Sequence, residues 1–83
     1  MKVLYFARLK QIAGRGEEQV EVPSSVATIS ALIDFLSARD ERVGEALRDR
    51  RVLKVAINQK HSALDAALGD AREVAFFPPV TGG

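Results

Sequence analysis

The pattern of hydrophobic and polar positions predicts a strand at the start of the chain and a second strand soon after it. Lys2–Leu9 has apolar residues at both parities, which is typical of a strand covered on both faces or on one face by a partner. Gln11–Gly16 ends in the turn signal Gly-Arg-Gly. Glu18–Val22 then alternates, with Val20 and Val22 expected to face inward. These segments predict an antiparallel hairpin with a long loop.

One strong helix is predicted after this hairpin. Four apolar residues have the i, i+3, i+4 and i+7 spacing that gives a helix a single hydrophobic stripe: Ile29, Leu32, Ile33 and Leu36. Thr28 precedes them and suits the N-cap, because its hydroxyl can accept a hydrogen bond from a free backbone N–H. We expect the helix to end near Arg39-Asp40. A shorter helical piece is predicted at Glu41–Arg48, where Gly44 weakens it.

Three further strands are predicted in the second half of the chain. Val52–Asn58 alternates apolar residues on one face, and Asn58-Gln59 suits a tight turn. His61–Leu68 is ambiguous and fits a short edge strand followed by a helical turn, while Glu73–Phe77 forms the last strand. Together the elements predict an α+β fold, in which residues 1–77 form one mixed sheet of about five strands on one main helix.

Composition limits the chemistry that the chain could perform alone. Its 83 residues allow one domain, which buries roughly 60–65% of the unfolded surface. Twelve Lys and Arg against 11 Asp and Glu give a net charge of +1, which does not indicate a nucleic-acid partner. The absence of cysteine excludes disulfides and thiolate nucleophiles, and a single histidine has no second metal ligand. With no membrane-spanning run and no signal-peptide pattern, we expect a cytoplasmic protein.

The last eight residues, Phe76–Gly83, carry the clearest functional signal. Pro78 cannot donate a hydrogen bond to a sheet, so the chain should leave the sheet at Phe77. Residues 78–83 could then extend about 20 Å at ~3.3 Å per residue. The terminal Gly82-Gly83 has no side chains and could enter a slot too narrow for a Cβ atom. The alternative is a frayed terminus without a role.

The α-carboxylate at Gly83 is a poor electrophile. Its pKa of roughly 3.3–3.7 keeps it ionised at neutral pH, so chemistry there requires activation by another protein. An acyl-adenylate made from ATP would supply a leaving group, and a sulfur donor could then convert the carbonyl to a thiocarboxylate. The residues permit this chemistry without requiring it.

Strand parity indicates an uncovered aromatic surface beside this tail. Val74 and Phe76 share one face of the last strand, whereas Ala75 and Phe77 share the other. Because one helix covers only one face of a small sheet, Phe76 or Phe77 is left toward solvent or a partner. The first strand poses the same choice, with Phe6 on one of its faces. Loops could bury these residues; otherwise they form a docking patch.

Three segments resemble one known family. KVLYFARL at the start, AIN at Ala56–Asn58 and EVAFFPPVTGG at the end are similar to the small subunits of molybdopterin synthase, which are ubiquitin-like sulfur carriers. The resemblance covers nearly the whole chain, and its C-terminal motif is specific, whereas Gly-Gly alone is shared with other carriers and modifiers. It implies a β-grasp fold.

The resemblance also implies a mechanism. A ubiquitin-activating-like adenylyltransferase would use ATP to adenylate Gly83, and a sulfur donor would make the thiocarboxylate. Val80, Thr81 and Gly82 would thread into the large subunit, where sulfur passes to cyclic pyranopterin monophosphate and builds the dithiolene that holds molybdenum. The two subunits would form a heterotetramer. The catalytic residues would belong to the large subunit, and this chain would bind no cofactor.

Partner-facing residues are also implied by the resemblance. Phe6 and Phe77 match hydrophobic residues of the partner-facing surface, and Lys10 matches a basic residue near the activating enzyme. His61 replaces an aliphatic interface residue, so it is either a weaker contact or, as we favour, simply exposed. Arg48–Arg51 is interpreted as a solvated helix end.

Two other functions stay open: a protein modifier conjugated through Gly83, and an interaction module with an inert tail.

Overall fold

Five strands and three helices make up the domain in the computed structural model, which describes residues 1–79. The predicted tail positions Val80, Thr81, Gly82 and Gly83 lie outside the described residues. The elements in chain order are β1 (Lys2–Tyr5), α1 (Arg8–Ala13), β2 (Glu17–Gln19), α2 (Ile29–Arg39), α3 (Glu41–Ala46), β3 (Lys54–Ile57), β4 (Lys60–Ser62) and β5 (Glu73–Phe77).

The sheet brings the two ends of the domain together at its centre. Its strand order is β2-β1-β5-β3-β4, in which β1 and β5 are parallel and the other pairs are antiparallel. Tyr5 pairs with Phe76, so the first and last strands end side by side. Asn58 and Gln59 form the tight turn between β3 and β4, both at positive φ, as the sequence predicts. A mixed five-stranded sheet with helices on one face is the β-grasp arrangement that the resemblance implies.

The main helix, α2, forms where the sequence predicts it. The Thr28 hydroxyl accepts a hydrogen bond from the Ala31 N–H at 3.1 Å. All four stripe residues are at most 1% exposed and belong to the hydrophobic core: Ile29, Leu32, Ile33 and Leu36. The helix ends at Arg39, and Asp40 then caps α3 by accepting hydrogen bonds from the backbone N–H groups of Arg42 and Val43. The stripe therefore anchors the helix to the sheet.

Replacing Thr28 with alanine tests the contribution of this cap. The variant loses the acceptor for a backbone N–H in the first turn of α2, so we expect the free energy of unfolding to fall by about 1 kcal/mol. Urea denaturation followed by circular dichroism measures the change. Thr28→Ser keeps the acceptor and is expected to stay close to wild type. Equal losses in both variants would contradict the capping role.

An ion-pair network links the first loop to the junction of α2 and α3. Arg15 donates hydrogen bonds to Asp40 at 2.5 Å and to Glu18 at 3.3 Å. Glu18 also accepts a 2.7 Å hydrogen bond from the hydroxyl of Tyr5, whose pKa is raised, chiefly by burial and then by this carboxylate. The hydrogen bond from Arg15 lowers the pKa of Asp40, and the α3 N–H groups lower it further.

The depressed pKa of Asp40 predicts acid sensitivity. Because the unfolded chain binds this proton more tightly, the stabilisation is complete well above the ordinary pKa of 3.8 and is lost as pH falls through the lower folded value. Asp40→Asn cannot titrate at this position. We therefore expect the stability of the wild type to fall more steeply than that of the variant below about pH 4. Parallel slopes in urea denaturation across this range would contradict the linkage.

Two sequence-based boundaries are wrong at the start of the chain. The predicted strand Lys2–Leu9 ends at Tyr5, and α1 replaces both its last residues and the first half of the predicted loop at Gln11–Gly16. Leu9 and Ala13 bury one face of α1, which packs on α3, and Gly14 closes the helix at φ 80°. The apolar character of this segment therefore serves a helix.

Two other boundaries are also wrong. β2 covers Glu17–Gln19 instead of Glu18–Val22, although Val20 is buried and Val22 packs against the core. In the ambiguous segment His61–Leu68, the edge strand is confirmed as β4, but turns and a bridge between Thr28 and Ala67 replace the helical turn. Backbone N–H groups in the first turn of α2 donate hydrogen bonds to carbonyls of this segment, which therefore needs no helical hydrogen bonds there.

Candidate functional site

The sheet face opposite the helices carries the candidate site. On β5, Val74 and Phe76 are fully buried in the core, whereas Ala75 and Phe77 point to the other face. The pairing register sets one row of side chains across that outer face: Leu4, Ala75, Ala56 and His61. The two alanines at the centre of the row have short side chains, so the surface is shallow there, and the larger side chains of Leu4 and His61 border it.

A stacked aromatic pair, Phe6 and Phe77, stands at the end of this face where the tail begins. Their ring centroids are 4.7 Å apart and their planes differ by 3°. The N–H of Phe6 donates to the carbonyl of Phe76 at 3.1 Å, so the ladder between β1 and β5 continues long enough to hold Phe6 beside Phe77. Phe6 is 41% exposed and Phe77 is half-buried, so the pair offers apolar area to a partner.

An unusual backbone conformation at Ala7 separates the aromatic pair from α1. Ala7 has φ 53° and ψ −128°, which residues with a Cβ rarely adopt. The turn at this residue takes the chain out of the sheet directly after Phe6, and α1 begins at the next residue, Arg8. The conformation thus keeps Phe6 at the end of β1 while Leu9 returns to the core.

The tail leaves the sheet beside a groove. β5 ends at Phe77, and the half-buried Pro78 and Pro79 line a groove of about 610 Å³ together with residues of α1 and of the segment before β3. Pro78 has no N–H to extend the ladder, so the strand stops where the sequence predicts. Only Pro78 and Pro79 of the predicted tail, 78–83, belong to the described residues.

Lys10 and His61 lie on opposite sides of the aromatic pair. Lys10 is exposed on α1 and lines a shallow depression with Phe6. Its side chain passes Gly16, where a Cβ would lie 3.1 Å from Cε of Lys10. His61 is exposed on β4, and its ring lies 6.1 Å from that of Phe77. The four residues predicted for the interface therefore lie on one surface, with Phe6 and Phe77 between Lys10 and His61. Their roles in binding stay predictions.

Sequence reasoning missed Lys54, which stands directly opposite Phe77 in the ladder between β3 and β5. Lys54 is exposed on the same outer face as Ala56. The alternation of the strand could have indicated that Lys54 is exposed, because residues next to the inward-facing Val55 must point outward.

A metal-ligand cluster and a membrane-spanning helix are both absent from the part of the chain that is described. Within residues 1–79, no three His, Asp or Glu side chains are grouped so that they could hold a metal ion. No helix in the same range is long and apolar enough to cross a membrane.

The sequence profile of the ThiS family matches residues 3–83. The chain belongs to the ThiS family. It is 41% identical, over 83 residues, to the molybdopterin synthase sulfur carrier subunit of Escherichia coli, covering 100% of this chain and 99% of the relative. The subunit of the same description from Haemophilus influenzae is 35% identical with the same coverage. The resemblance to small subunits of molybdopterin synthase is therefore confirmed.

Solved structures confirm the ubiquitin-like β-grasp fold. A Pyrococcus furiosus protein assigned as subunit 1 of a molybdopterin converting factor superposes with a TM-score of 0.72, at 32% identity and with 95% of both chains covered. Small archaeal modifier protein 1 from Haloferax volcanii gives a TM-score of 0.73 at 30% identity, covering 99% of this chain and 97% of the modifier. The same fold thus serves proteins described as carriers and as modifiers.

Proposed function

We propose that this chain is the sulfur carrier subunit of a molybdopterin synthase. The observation that carries the proposal is the exposed Phe6–Phe77 pair at the point where β5 passes into the C-terminal Pro-Pro-Val-Thr-Gly-Gly. Support also comes from full-length relatives described as sulfur carrier subunits. A docking surface beside a side-chain-free end is what a carrier needs, because the body binds while the end enters the partner.

The reacting group in this proposal is the carboxyl of Gly83. A carboxylate oxygen of Gly83 attacks the α-phosphorus of ATP, so pyrophosphate leaves and an acyl-adenylate forms on the activating enzyme. Sulfur at the oxidation level of sulfide attacks the acyl carbon, AMP leaves, and the thiocarboxylate remains. In the large subunit its sulfur then forms a C–S bond to a side-chain carbon of cyclic pyranopterin monophosphate and displaces an oxygen substituent of that carbon, which gives a thioester. Water cleaves the acyl–sulfur bond of this thioester, so that the sulfur stays on the pterin and Gly83 leaves as a carboxylate.

Each part of the chain has one task in this scheme. The outer face of the sheet binds the large subunit, and the two prolines keep the start of the tail extended. Gly82 and Gly83 present the acyl carbon without a side chain that would block a narrow channel. Because the sequence has no cysteine, the sulfur travels on the C-terminus. The chain binds no cofactor of its own and works in the cytoplasm, while ATP belongs to the activating enzyme.

Reconstitution tests the proposal. The chain is incubated with the adenylyltransferase, ATP and sulfide, then mixed with the large subunit and cyclic pyranopterin monophosphate, and dithiolene product is quantified. We expect product only when all components are present. A chain that lacks Gly82-Gly83 serves as the control and is expected to give none. Equal product from the truncated chain would reject the carrier function and leave an interaction module with an inert tail.

A protein modifier is the second candidate, because the modifier from Haloferax volcanii shares the fold over nearly the whole chain at 30% identity. A modifier transfers the activated acyl group of Gly83 to a lysine amine instead of to sulfur. Tandem mass spectrometry of cell extracts distinguishes the two functions. Isopeptide-linked peptides that end in the tail sequence would support the modifier, and their absence under conditions that give thiocarboxylate would support the carrier.

A further inference from the structure

A basic edge borders the aromatic pair on the β3–β4 side of the outer face. We define it as Lys54 and His61, which lie beside a shallow depression of about 820 Å³ that also includes Arg50 and Arg51. No aspartate or glutamate is among the described residues that line this depression. The edge therefore exposes the positive charge of Lys54 to solvent next to an apolar surface.

The pairing register places the basic edge within the proposed docking surface. Lys54 is the direct ladder partner of Phe77, and His61 pairs with Ala56 in the row that crosses the outer face. The ring of His61 is tilted by 41° against that of Phe77, with centroids 6.1 Å apart. A protein that covers Phe77 must therefore also approach Lys54 and His61.

Among residues 1–79, Lys54 differs from its arginine neighbours because no carboxylate neutralises its charge within 4 Å. Arg50 pairs with Asp34, and Arg51 pairs with Asp49 at 3.1 Å. Within residues 1–79, the ion pairs within 4 Å do not include Lys54. Covering this ammonium with an apolar partner would remove its hydration without replacing it, which is costly. A carboxylate on the partner would compensate for that loss.

The geometry points to an acidic partner surface opposite the basic edge. We infer that the large subunit that binds this chain presents at least one Asp or Glu side chain to Lys54, and that this charge pairing sets the rate and selectivity of docking. The inference rests on the proposed function, because it concerns the same surface. Opposite charges steer encounter and reject partners with like charge at this position.

Charge reversal at Lys54 tests the inference. Lys54→Glu is expected to slow association with the large subunit of the same organism about tenfold at low ionic strength, in stopped-flow fluorescence. The difference should shrink as salt rises, because the Debye length falls to about 10 Å at 0.1 M. Lys54→Gln is expected to give an intermediate rate. Thermal unfolding of each variant verifies that the domain is folded.

Arg72→Glu is the matched control, since it makes the same change in net charge. Arg72 is exposed and precedes β5, five residues or roughly 16 Å of strand from Phe77. We expect its association rate to stay within about twofold of wild type. Equal rates for Lys54→Glu and wild type at every ionic strength, or equal slowing by both reversals, would overturn the inference and leave the carrier function intact.

Two further outcomes would also reject the inference, the first by itself and the second together with the proposed function. If inorganic phosphate at constant ionic strength slows wild-type docking as much as Lys54→Glu does, the edge binds a free anion and the partner carboxylate is rejected. If the wild-type chain does not bind the large subunit at all, the inference and the proposed function both fail.

Discussion

Adding one residue after Gly83 is expected to abolish sulfur transfer while leaving the domain folded. The extra residue converts the terminal carboxylate of Gly83 into an amide, which ATP cannot activate, and moves the new carboxylate by about 3.3–3.8 Å. Misplacement of a reacting atom by even ~1 Å can cost about a hundredfold in rate, so we expect a loss of at least that size. Dithiolene formation in the reconstituted reaction measures it.

A glycine inserted between Gly69 and Asp70 is the control for this extension. It lengthens the chain equally but keeps Gly83 at the end, and a Cβ at Gly69 would have no neighbour within 4 Å. Insertions at such exposed turns are tolerated. We expect wild-type transfer from this variant. Unchanged turnover by the extended chain would refute the mechanism through the terminal carboxyl.

Replacing Phe77 with aspartate is expected to weaken binding to the large subunit by about 2–4 kcal/mol, or roughly 30- to 1000-fold in Kd. Phe77 stacks on Phe6 at 4.7 Å on the outer face, so the substitution would place a charge at the centre of the apolar contact. The fold should survive because Phe77 is only half-buried, unlike the fully buried Phe76. Isothermal titration calorimetry gives the affinity.

Phe35→Asp separates affinity from stability in this experiment. Phe35 is also a half-buried aromatic residue, but it lies on α2, on the opposite side of the sheet from Phe77. Both variants are expected to lose stability, and only Phe77→Asp should lose affinity. An unaltered affinity for Phe77→Asp would remove this residue from the interface.

The elements that the sequence predicted correctly are those whose local signals agree. In α2, an apolar stripe and a threonine cap indicate the same start, and the helix begins there and ends at Arg39 as expected. In β5, alternation separates the residues of the two faces, and the following prolines mark the end of the strand. Local chemistry and tertiary packing require the same conformation in these segments.

The start of the chain was mispredicted because local and tertiary requirements diverge there. Lys2–Leu9 is uniformly strand-like in composition, yet Ala7 takes a positive-φ conformation that the residue type does not indicate. The burial of Leu9 against α3 and the core, which depends on distant residues, favours the helix. The parallel pairing of β1 with β5 is equally non-local, and the sequence pattern does not specify it.

The candidate site was predicted in part for the same reason. Alternation reduced the choice to two aromatic faces, and the resemblance selected Phe6 and Phe77, which the structure stacks together. Alternation alone places Lys54 on the outer face, but its position opposite Phe77 depends on the register of β3 against β5, which no local pattern specifies. Surface features that depend on two paired strands therefore need the structure.

Mass spectrometry of the chain's C-terminal peptide tests the central claim most directly. The chain is purified from cells of its own organism while they make molybdenum cofactor, with the large subunit depleted so that loaded carrier accumulates. The carrier function predicts that sulfur replaces one oxygen of the Gly83 carboxyl in a substantial fraction of molecules. A Gly83 terminus found only as the ordinary carboxylate, in cells that continue to accumulate cyclic pyranopterin monophosphate, would contradict it.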